Sequence, residues 1–377
     1  MERYNDIMVK SRHFLCLLIC WTAIGAGKGL PQTLDSYSPV AKWQRNALAA
    51  TLVSVVKAII AQQRSDGALV MGDRPPYRLS PYVANYAAMG LLDAYRITHD
   101  PGLLQAVKRW QEWYIAHMNA DGTIYDYSGD IGAWRSTNDY DSTDAYAATF
   151  MELAWKYLQV AKDPSWEQKL LAVLPKLANS VCLTLQTNGL TMAKPRYPAM
   201  YTMDNVEVYK GWVAAAEFAQ KMHRPQLARL YRHRARSTLE AINTLLWISD
   251  SRGRGHFLVG RQADGVGIEV KQPMVWYPDQ MAQLMAIAWL PKTNETRALY
   301  FALRKQALYL PSKLMTEDEL GRVVWWALAA ETVGDKPTVS RILQLLMAAP
   351  KTLSTVIDIG LEGHVCDILA HALTSGY

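Results

Sequence analysis

An all-α fold, closed into a ring by repeated helical hairpins, is what this sequence predicts, and three observations carry it. Apolar residues recur at helical spacing along most of the chain, and strand-like alternation is confined to short pieces such as 256–259. Proline-marked corners join one helix tightly to the next. An Asp-Gly or Asn-Gly motif in longer connections returns at intervals of roughly 55 to 65 residues, the period of one hairpin pair.

The helical spacing gives about twelve helices, over 40–62, 82–98, 101–118, 142–161, 164–186, 204–222, 226–247, 278–289, 293–309, 319–333, 336–349 and 359–374. Corners fall at Thr98-His99-Asp100-Pro101, Ala161-Lys162-Asp163-Pro164, His223-Arg224-Pro225 and Gly334-Asp335-Lys336-Pro337. Proline fits the first turn of a helix and stops the preceding one, so these are tight turns. The longer loops carry Gln63-Arg-Ser-Asp-Gly-Ala-Leu69, Met118-Asn-Ala-Asp-Gly-Thr-Ile124 and Gln186-Thr-Asn-Gly-Leu190, whose glycines supply the positive φ a helix exit needs. Paired helices make about six hairpins, the number of an (α/α)6 toroid, here a single domain over 35–377. Short corners at one end and long loops at the other would gather the long loops on one face, with the inner-helix N-termini opening into a shared cavity. The candidate inner helices at 80–90 and 144–150 carry few charges and many small residues, as close approach in an inner ring demands. The segment 227–246 alternates charged and apolar faces, as an outer helix does.

Composition narrows the function classes. Half of the 377 residues are hydrophobic, enough for a large core. The 13 Trp and 20 Tyr far outnumber the 5 Phe, and such amphipathic rings suit a cleft where one face is packed and the other wet; they also serve ordinary cores. The net charge of +6 is dispersed. Its densest cluster, Arg229, Arg232, His233, Arg234 and Arg236, reads as the solvated face of an outer helix, and no nucleic-acid-binding module accompanies it. Residues 1–30 read as a secretory signal: Lys10 and Arg12, then the apolar run 13–24, then Gly25-Ala26-Gly27. The expectation is an exported protein, periplasmic or secreted, with an uncleaved anchor as the alternative; an apolar run of about a dozen residues is short for a membrane span. Cys16 and Cys20 fall in that segment. Cys182 and Cys366 lie in apolar helical stretches and are expected to be buried free thiols, without disulfide or metal. No metal or cofactor is expected, and the chain is read as a monomer.

Chemistry concentrates at the starts of inner helices. Asp141-Ser-Thr-Asp144 and Asp204-Asn-Val-Glu207 share one acidic spacing, and Tyr277-Pro-Asp279 opens a third helix. Capping and the helix dipole account for such acids without any function. They do not account for the aromatics beside them: Tyr125, Tyr127, Trp134 and Tyr140 before the first pair, Tyr197 and Tyr201 before the second, Trp276 and Tyr277 before Asp279, and Tyr82 at an earlier inner helix. Carboxylates ringed by aromatic platforms fit a sugar-processing cleft, where one acid protonates the glycosidic oxygen and a second carboxylate activates water or steadies the oxocarbenium-like transition state. Neighbours such as Trp134 would keep the acid dry and protonated. The candidate catalytic residues are Asp141, Asp144, Asp204 and Glu207. Tyr82, Asn85, Tyr125, Trp134, Tyr140, Tyr201, Trp276, Tyr277 and Asp279 are the candidates for binding a poly- or oligosaccharide. Asp66 and Asp121 read as turn residues, and His256 and His364 as isolated structural histidines.

On these segments, 134–150 (WRSTNDYDSTDAYAATF), 193–212 (AKPRYPAMYTMDNVEVYKGW) and 276–283 (WYPDQMAQ), the chain resembles the six-hairpin glycosidase superfamily of glucoamylase-like enzymes, unsaturated glucuronyl hydrolases and α-1,6-mannanases. The resemblance implies an (α/α)6 toroid and a glycoside hydrolase-like activity with carboxylates at the cavity face. Adjacent paired aspartates of the mannanase type are absent. Three alternatives stay open. Residues 63–69 look like the glutamine–glycine repeat of triterpene cyclases, with Leu69 in place of Trp. A non-catalytic glycan-binding factor of polysaccharide biosynthesis or export would keep the aromatics. A polysaccharide lyase could draw on Tyr82, Arg78 and Arg135.

Overall fold

The computed structural model describes residues 39–251, 254–272, 274–308, 310–314, 316–353 and 358–375. The expected signal segment at 1–30, with Cys16 and Cys20, lies outside them. Helices dominate, in consecutive hairpins: α1 (Pro39–Ala61) with α2 (Pro81–Thr98), α3 (Pro101–His117) with α4 (Thr143–Val160), α5 (Pro164–Cys182) with α6 (Thr202–Lys221), α7 (Pro225–Ala241) with α8 (Met281–Trp289), α9 (Asn294–Ala307) with α10 (Glu317–Val333), and α11 (Lys336–Met347) with the one-turn α12 (Pro350–Leu353) and α13 (Ile359–Ser375). The second long helix of each hairpin is the inner one. Each inner helix packs on the next, α2 on α4, α4 on α6, α6 on α8, α8 on α10 and α10 on α13, and α13 returns to pack on α2. The ring is closed, as the hairpin count predicts.

Inner helices are buried on nearly every side, so their sequences must be apolar and, where they cross, small. At the seam a Cβ on Gly90 of α2 would lie 2.4 Å from the Cα of Gly363, and one on Gly363 of α13 would lie 2.2 Å from the Tyr86 carbonyl oxygen. Only backbone fits there. Outer helices show the single apolar face expected of them: on α7, Ala228, Tyr231, Ala235 and Thr238 are buried, while Arg229, Arg232, His233 and Arg236 face solvent.

The corners form as the prolines indicate. Pro101, Pro164 and Pro225 occupy the first helical position, and Asp100, Asp163 and Asp335 cap their helices by accepting from Gly102, Trp166 and Thr338 N–H. The recurring loop motif has a structural duty as well. Gly67, Gly122 and Gly189 share φ near +90° (97°, 91° and 91°), and each turn sits on the outer helix of the following hairpin: a Cβ there would meet the carbonyl oxygens of Arg109, Lys176 and Ser237 at 2.4, 2.0 and 3.0 Å. Side chains fasten the same junctions, with Gln63 donating to Ala106 O and Asn179 to Asp121 O. The motif is thus the mortise between successive hairpins. Asp66 and Asp121 accept from Ala68 and Thr123 N–H, which bears out their reading as turn residues.

The long loops are more ordered than the sequence suggested, because neighbours pair as short strands. β1 (Tyr77–Leu79) pairs with β2 (Tyr127–Gly129), which pairs with β3 (Arg135–Ser136). β4 (Ala199–Tyr201) pairs with β7 (Gly260–Gln262), which pairs with β8 (Gly267–Ile268); β5 (Trp247–Ser249) pairs with β6 (Gly255–Phe257). These ladders link the first long loop to the second and the third to the fourth, and so fix the loop-bearing face. One expectation fails: Cys182 is exposed, since it ends α5 one position past buried Val181 and turns off the apolar stripe. Cys366 is buried, and both thiols are free. Among the described residues, no helix is long and apolar enough to cross a membrane.

Replacing Gly122 with alanine forces a side chain onto a left-handed residue and against a backbone carbonyl. The variant is expected to lose more than about 2 kcal/mol of stability in urea denaturation, whereas the open Gly132→Ala should cost less, since no atom obstructs its Cβ.

Candidate functional site

The starts of α2, α4 and α6 lie side by side on the loop-bearing face and bring four acids into one electrostatic neighbourhood. Ser142, not Asp141, caps α4: its hydroxyl accepts from Ala145 N–H and donates to Asp144 Oδ1 at 2.6 Å. Helix α6 begins earlier than the acid pair suggests, at Thr202 after Tyr201, with no side-chain cap. Asp204 therefore sits in its first turn and Glu207 in its second, and Asp141 stands just before α4. Capping accounts for none of these three acids.

The four differ in access. Asp144 and Glu207 are buried, and each has one carboxylate oxygen, Oδ2 and Oε2, without a hydrogen-bond partner. Asp144 Oδ1 accepts from the Ser142 hydroxyl and from Ala145 N–H at 2.9 Å. Glu207 Oε1 accepts from Tyr82 at 2.6 Å and from Tyr86 at 3.4 Å. Asp204 is half-buried, and Asp141 is open to water although protein walls it on its other sides. Asp141 and Asp204 are thus the acids a substrate can reach, over a buried floor of Asp144 and Glu207.

Burial raises every carboxyl in the set. For Asp204 desolvation acts first, and the negative charges of Asp144, Glu207 and Asp141 add to it, so its carboxyl is pushed well above the ordinary range. Glu207 is raised by burial and by Asp144, against the opposing Tyr82 hydrogen bond and the Lys210 charge. Asp141 is raised by its enclosure, with the Lys194 ammonium pulling the other way. Crowded, buried carboxyls of this kind take up protons more readily than isolated ones, and they titrate as a coupled set.

Tyrosines connect this floor to the rim. Tyr82 is T-shaped on Tyr86 (centroids 5.1 Å) and stacked on Tyr146 (5.6 Å); Tyr140 meets Tyr146 edge-on (6.4 Å) and stacks on Tyr125 at 5.4 Å with an interplanar angle of 9°. Tyr82, Tyr125 and Tyr140 thus form one aromatic wall running down to Glu207. Tyr201 stacks on Tyr197, hydroxyl to hydroxyl at 3.0 Å, at the entry to α6. Tyr277 is exposed before α8.

Other expected residues prove structural. Asn85 is wholly buried and fully engaged: its amide donates to Tyr146 O and the Thr149 hydroxyl and accepts from Trp110 Nε1. It cannot greet a glycan, because it lies on the packed face of α2. Asp279 is buried, and its Oδ2 accepts from Lys271 and Val275 N–H, tying down the loop before α8. Trp276 is buried beneath the Arg322 guanidinium. Trp134 donates to Asp66 Oδ2 at 2.6 Å and packs edge-on against Trp113, so it joins the first two loops; the acids are kept dry by burial and by Tyr82 instead.

The sequence reading missed Asp126 and Lys194. Asp126 lies between Tyr125 and Tyr127, accepts from Tyr146 Oη at 2.9 Å and is raised by desolvation to about 7. The Tyr-Asp-Tyr alternation in a long loop was the available signal. Lys194 pairs with Asp139 at 2.9 Å and lies over the Tyr140 ring, which places a cation at the rim beside Asp141. Among the described residues no His, Cys, Asp or Glu cluster has metal-site geometry.

No protein-family model matches the chain, and no curated protein sequence is similar to it. Solved structures are. A rhamnosidase from Klebsiella oxytoca with rhamnose bound superposes with TM-score 0.61 at 15% identity, over 91% of this chain and 65% of that one; the chain thus spans less than two thirds of the rhamnosidase. A metal-independent α-mannosidase from Streptococcus pneumoniae gives 0.62 at 10% identity, covering 90% and 99% of the two chains. A D-mannose isomerase gives 0.60 at 11%, covering 89% and 99%. Each of the three alignments covers about nine tenths of this chain, and the likeness is one of fold, the (α/α)6 toroid.

Proposed function

We propose that the protein is an exported glycoside hydrolase that cleaves a poly- or oligosaccharide at the loop-bearing face. The observation that supports this most is the pair of water-reachable carboxyls, Asp204 and Asp141, over a buried acidic floor and beside a tyrosine wall. Asp204, surrounded by three other acids, holds its proton and serves as the general acid that protonates the departing glycosidic oxygen. Asp141, open to water and steadied by Lys194, ionises more readily and serves as the carboxylate that activates water or supports the oxocarbenium-like transition state. Asp144 and Glu207 maintain the field that keeps Asp204 protonated, and Tyr82 holds Glu207 in place. Tyr125 and Tyr140 offer stacked faces for a sugar ring. The basic-then-apolar segment at 10–27 supports export. That sugar hydrolases, and a sugar isomerase as well, share the fold supports a carbohydrate substrate; the acid pair favours bond cleavage.

Asp204→Asn is expected to slow release of reducing sugar from oligosaccharides about 10²–10⁴-fold while largely sparing 4-nitrophenyl glycosides, whose leaving group needs no acid. Asp141→Asn should depress both substrates alike. Unchanged turnover in both variants would sink the mechanism, and interconversion of a free sugar without bond cleavage would replace it with isomerisation. The pH profile of kcat/KM should be bell-shaped, falling at low pH as Asp141 takes a proton and at high pH as Asp204 loses one.

The raised carboxyls also set stability. A carboxyl raised by folding favours the folded state when protonated: its contribution is complete below the unfolded value of about 4 and is lost as pH rises through the folded value. For Asp126 that loss falls between about 4 and 7. Thermal denaturation of Asp126→Asn should therefore give a higher Tm than the parent at pH 8, with the difference closing toward pH 4.

A further inference from the structure

A cavity of about 400 Å³ opens on the opposite face, among the C-terminal halves of α4, α8 and α10, the middle of α6 and the α8–α9 corner. Along α6 the axial distance to Lys210 is about 9 Å from Asp204 and about 4.5 Å from Glu207, so this cavity lies one turn beneath the acidic floor. Three aromatic side chains line it: Trp155 and Tyr209, both half-buried, and Trp289, which is buried. Between them stand Lys210 and Glu152, 8% and 2% exposed, as an ion pair with Nζ 2.9 Å from Oε1 and with Nζ 4.2 Å from the centre of the Trp289 ring.

The hydrogen-bond accounting at this wall does not close. Lys210 Nζ, Glu152 Oε1 and Trp289 Nε1 are all buried, and none makes a hydrogen bond; the lysine and glutamate touch at ionic distance without hydrogen-bond alignment. Buried polar atoms are rarely left so, and three beside one cavity call for a partner that fills it. That partner must accept from an ammonium and an indole N–H and donate to a carboxylate. A hydroxyl does both. The partner needs little net charge, because Lys210 is already matched by Glu152, and Lys156 by Asp93 at 2.7 Å. It must also present apolar patches to indole and phenol rings.

We propose that this corner-face cavity is a second binding site, and that it takes one neutral sugar ring. The inference stands apart from the hydrolytic reading, since it uses none of the residues of that mechanism. The cavity volume falls in the ordinary range for small-ligand pockets, about 300–1,000 Å³. A pyranose lies with its C–H face on Trp289 or Trp155 and its hydroxyls between Lys210 and Glu152. The structure thereby offers two carbohydrate contacts on opposite faces of one ring.

The test is titration of the full chain with methyl α-D-mannopyranoside, methyl α-L-rhamnopyranoside and methyl β-D-glucopyranosiduronate, followed by calorimetry and tryptophan fluorescence. At least one of the two neutral glycosides is expected to bind and to perturb tryptophan emission. Val213→Trp, which fills the cavity from its half-buried wall, and Trp289→Phe, which removes the indole N–H, should each weaken that binding at least about tenfold. Asp204→Asn, altered only at the opposite face, should retain it. Either cavity variant suffices if the other does not fold. The proposal is overturned if neither neutral glycoside binds, if only the uronide does, if binding survives both cavity variants, or if it disappears in Asp204→Asn. The hydrolytic reading stands or falls separately on turnover.

Discussion

Ring closure is the constraint on which the rest of this structure depends. The first and last inner helices meet at Gly90 and Gly363 with backbone against backbone, and any side chain at either position would push the seam apart. The carbonyl that Gly363 approaches belongs to Tyr86, whose hydroxyl reaches Glu207 on α6. A residue that closes the fold thus packs against a residue that frames the site. Because each inner helix is held by two inner neighbours and by the outer helix that follows it around the ring, a shift at the seam would pass around the ring rather than stay local.

Closure also explains why the acids are so strained electrostatically. Helix starts converge on one face because every hairpin has the same hand and the same short corner at its far end. A carboxyl at a helix start is favoured by the local dipole when alone. Here convergence sets Asp144, Asp204 and Glu207 against one another in a setting with little water, and repulsion plus desolvation outweigh the dipole. Paired strands such as β1 with β2 and β4 with β7 keep the loops from relaxing outward to relieve that repulsion. The site is in this sense under tension maintained by the scaffold, a common arrangement where function and stability compete.

Charge runs on below the site. Along α6, Glu207 is followed one turn later by Lys210, which reaches Glu152 on α4, and on α4 Lys156 reaches Asp93 on α2. Buried pairs of this kind gain little net stability over apolar packing, yet removing one partner strands the other in a dry interior. Their presence on the inner surface of the ring fixes the lateral register of α2, α4 and α6 and separates the acidic mouth from the corner-face cavity.

Much of this was legible along the chain because it is local. Proline at a first helical turn, glycine at a positive φ and apolar residues at helical spacing act through their immediate neighbours, so the hairpins, the corners, the closed ring and the face that carries the long loops follow from the sequence by itself. That Asp141, Asp144, Asp204 and Glu207 gather near two neighbouring inner-helix starts was legible too, from the spacing of the two acid pairs, although the position of each acid relative to its helix start was not. Only the tertiary structure decided which acids meet water, that Ser142 rather than Asp141 caps α4, that Asn85, Trp276 and Asp279 serve the scaffold, and that Asp126 joins the site from a loop. Those outcomes depend on which face of a helix meets its neighbour and on how one loop pairs with the next, and such contacts bridge residues as far apart as Tyr82 and Glu207 that no local pattern connects.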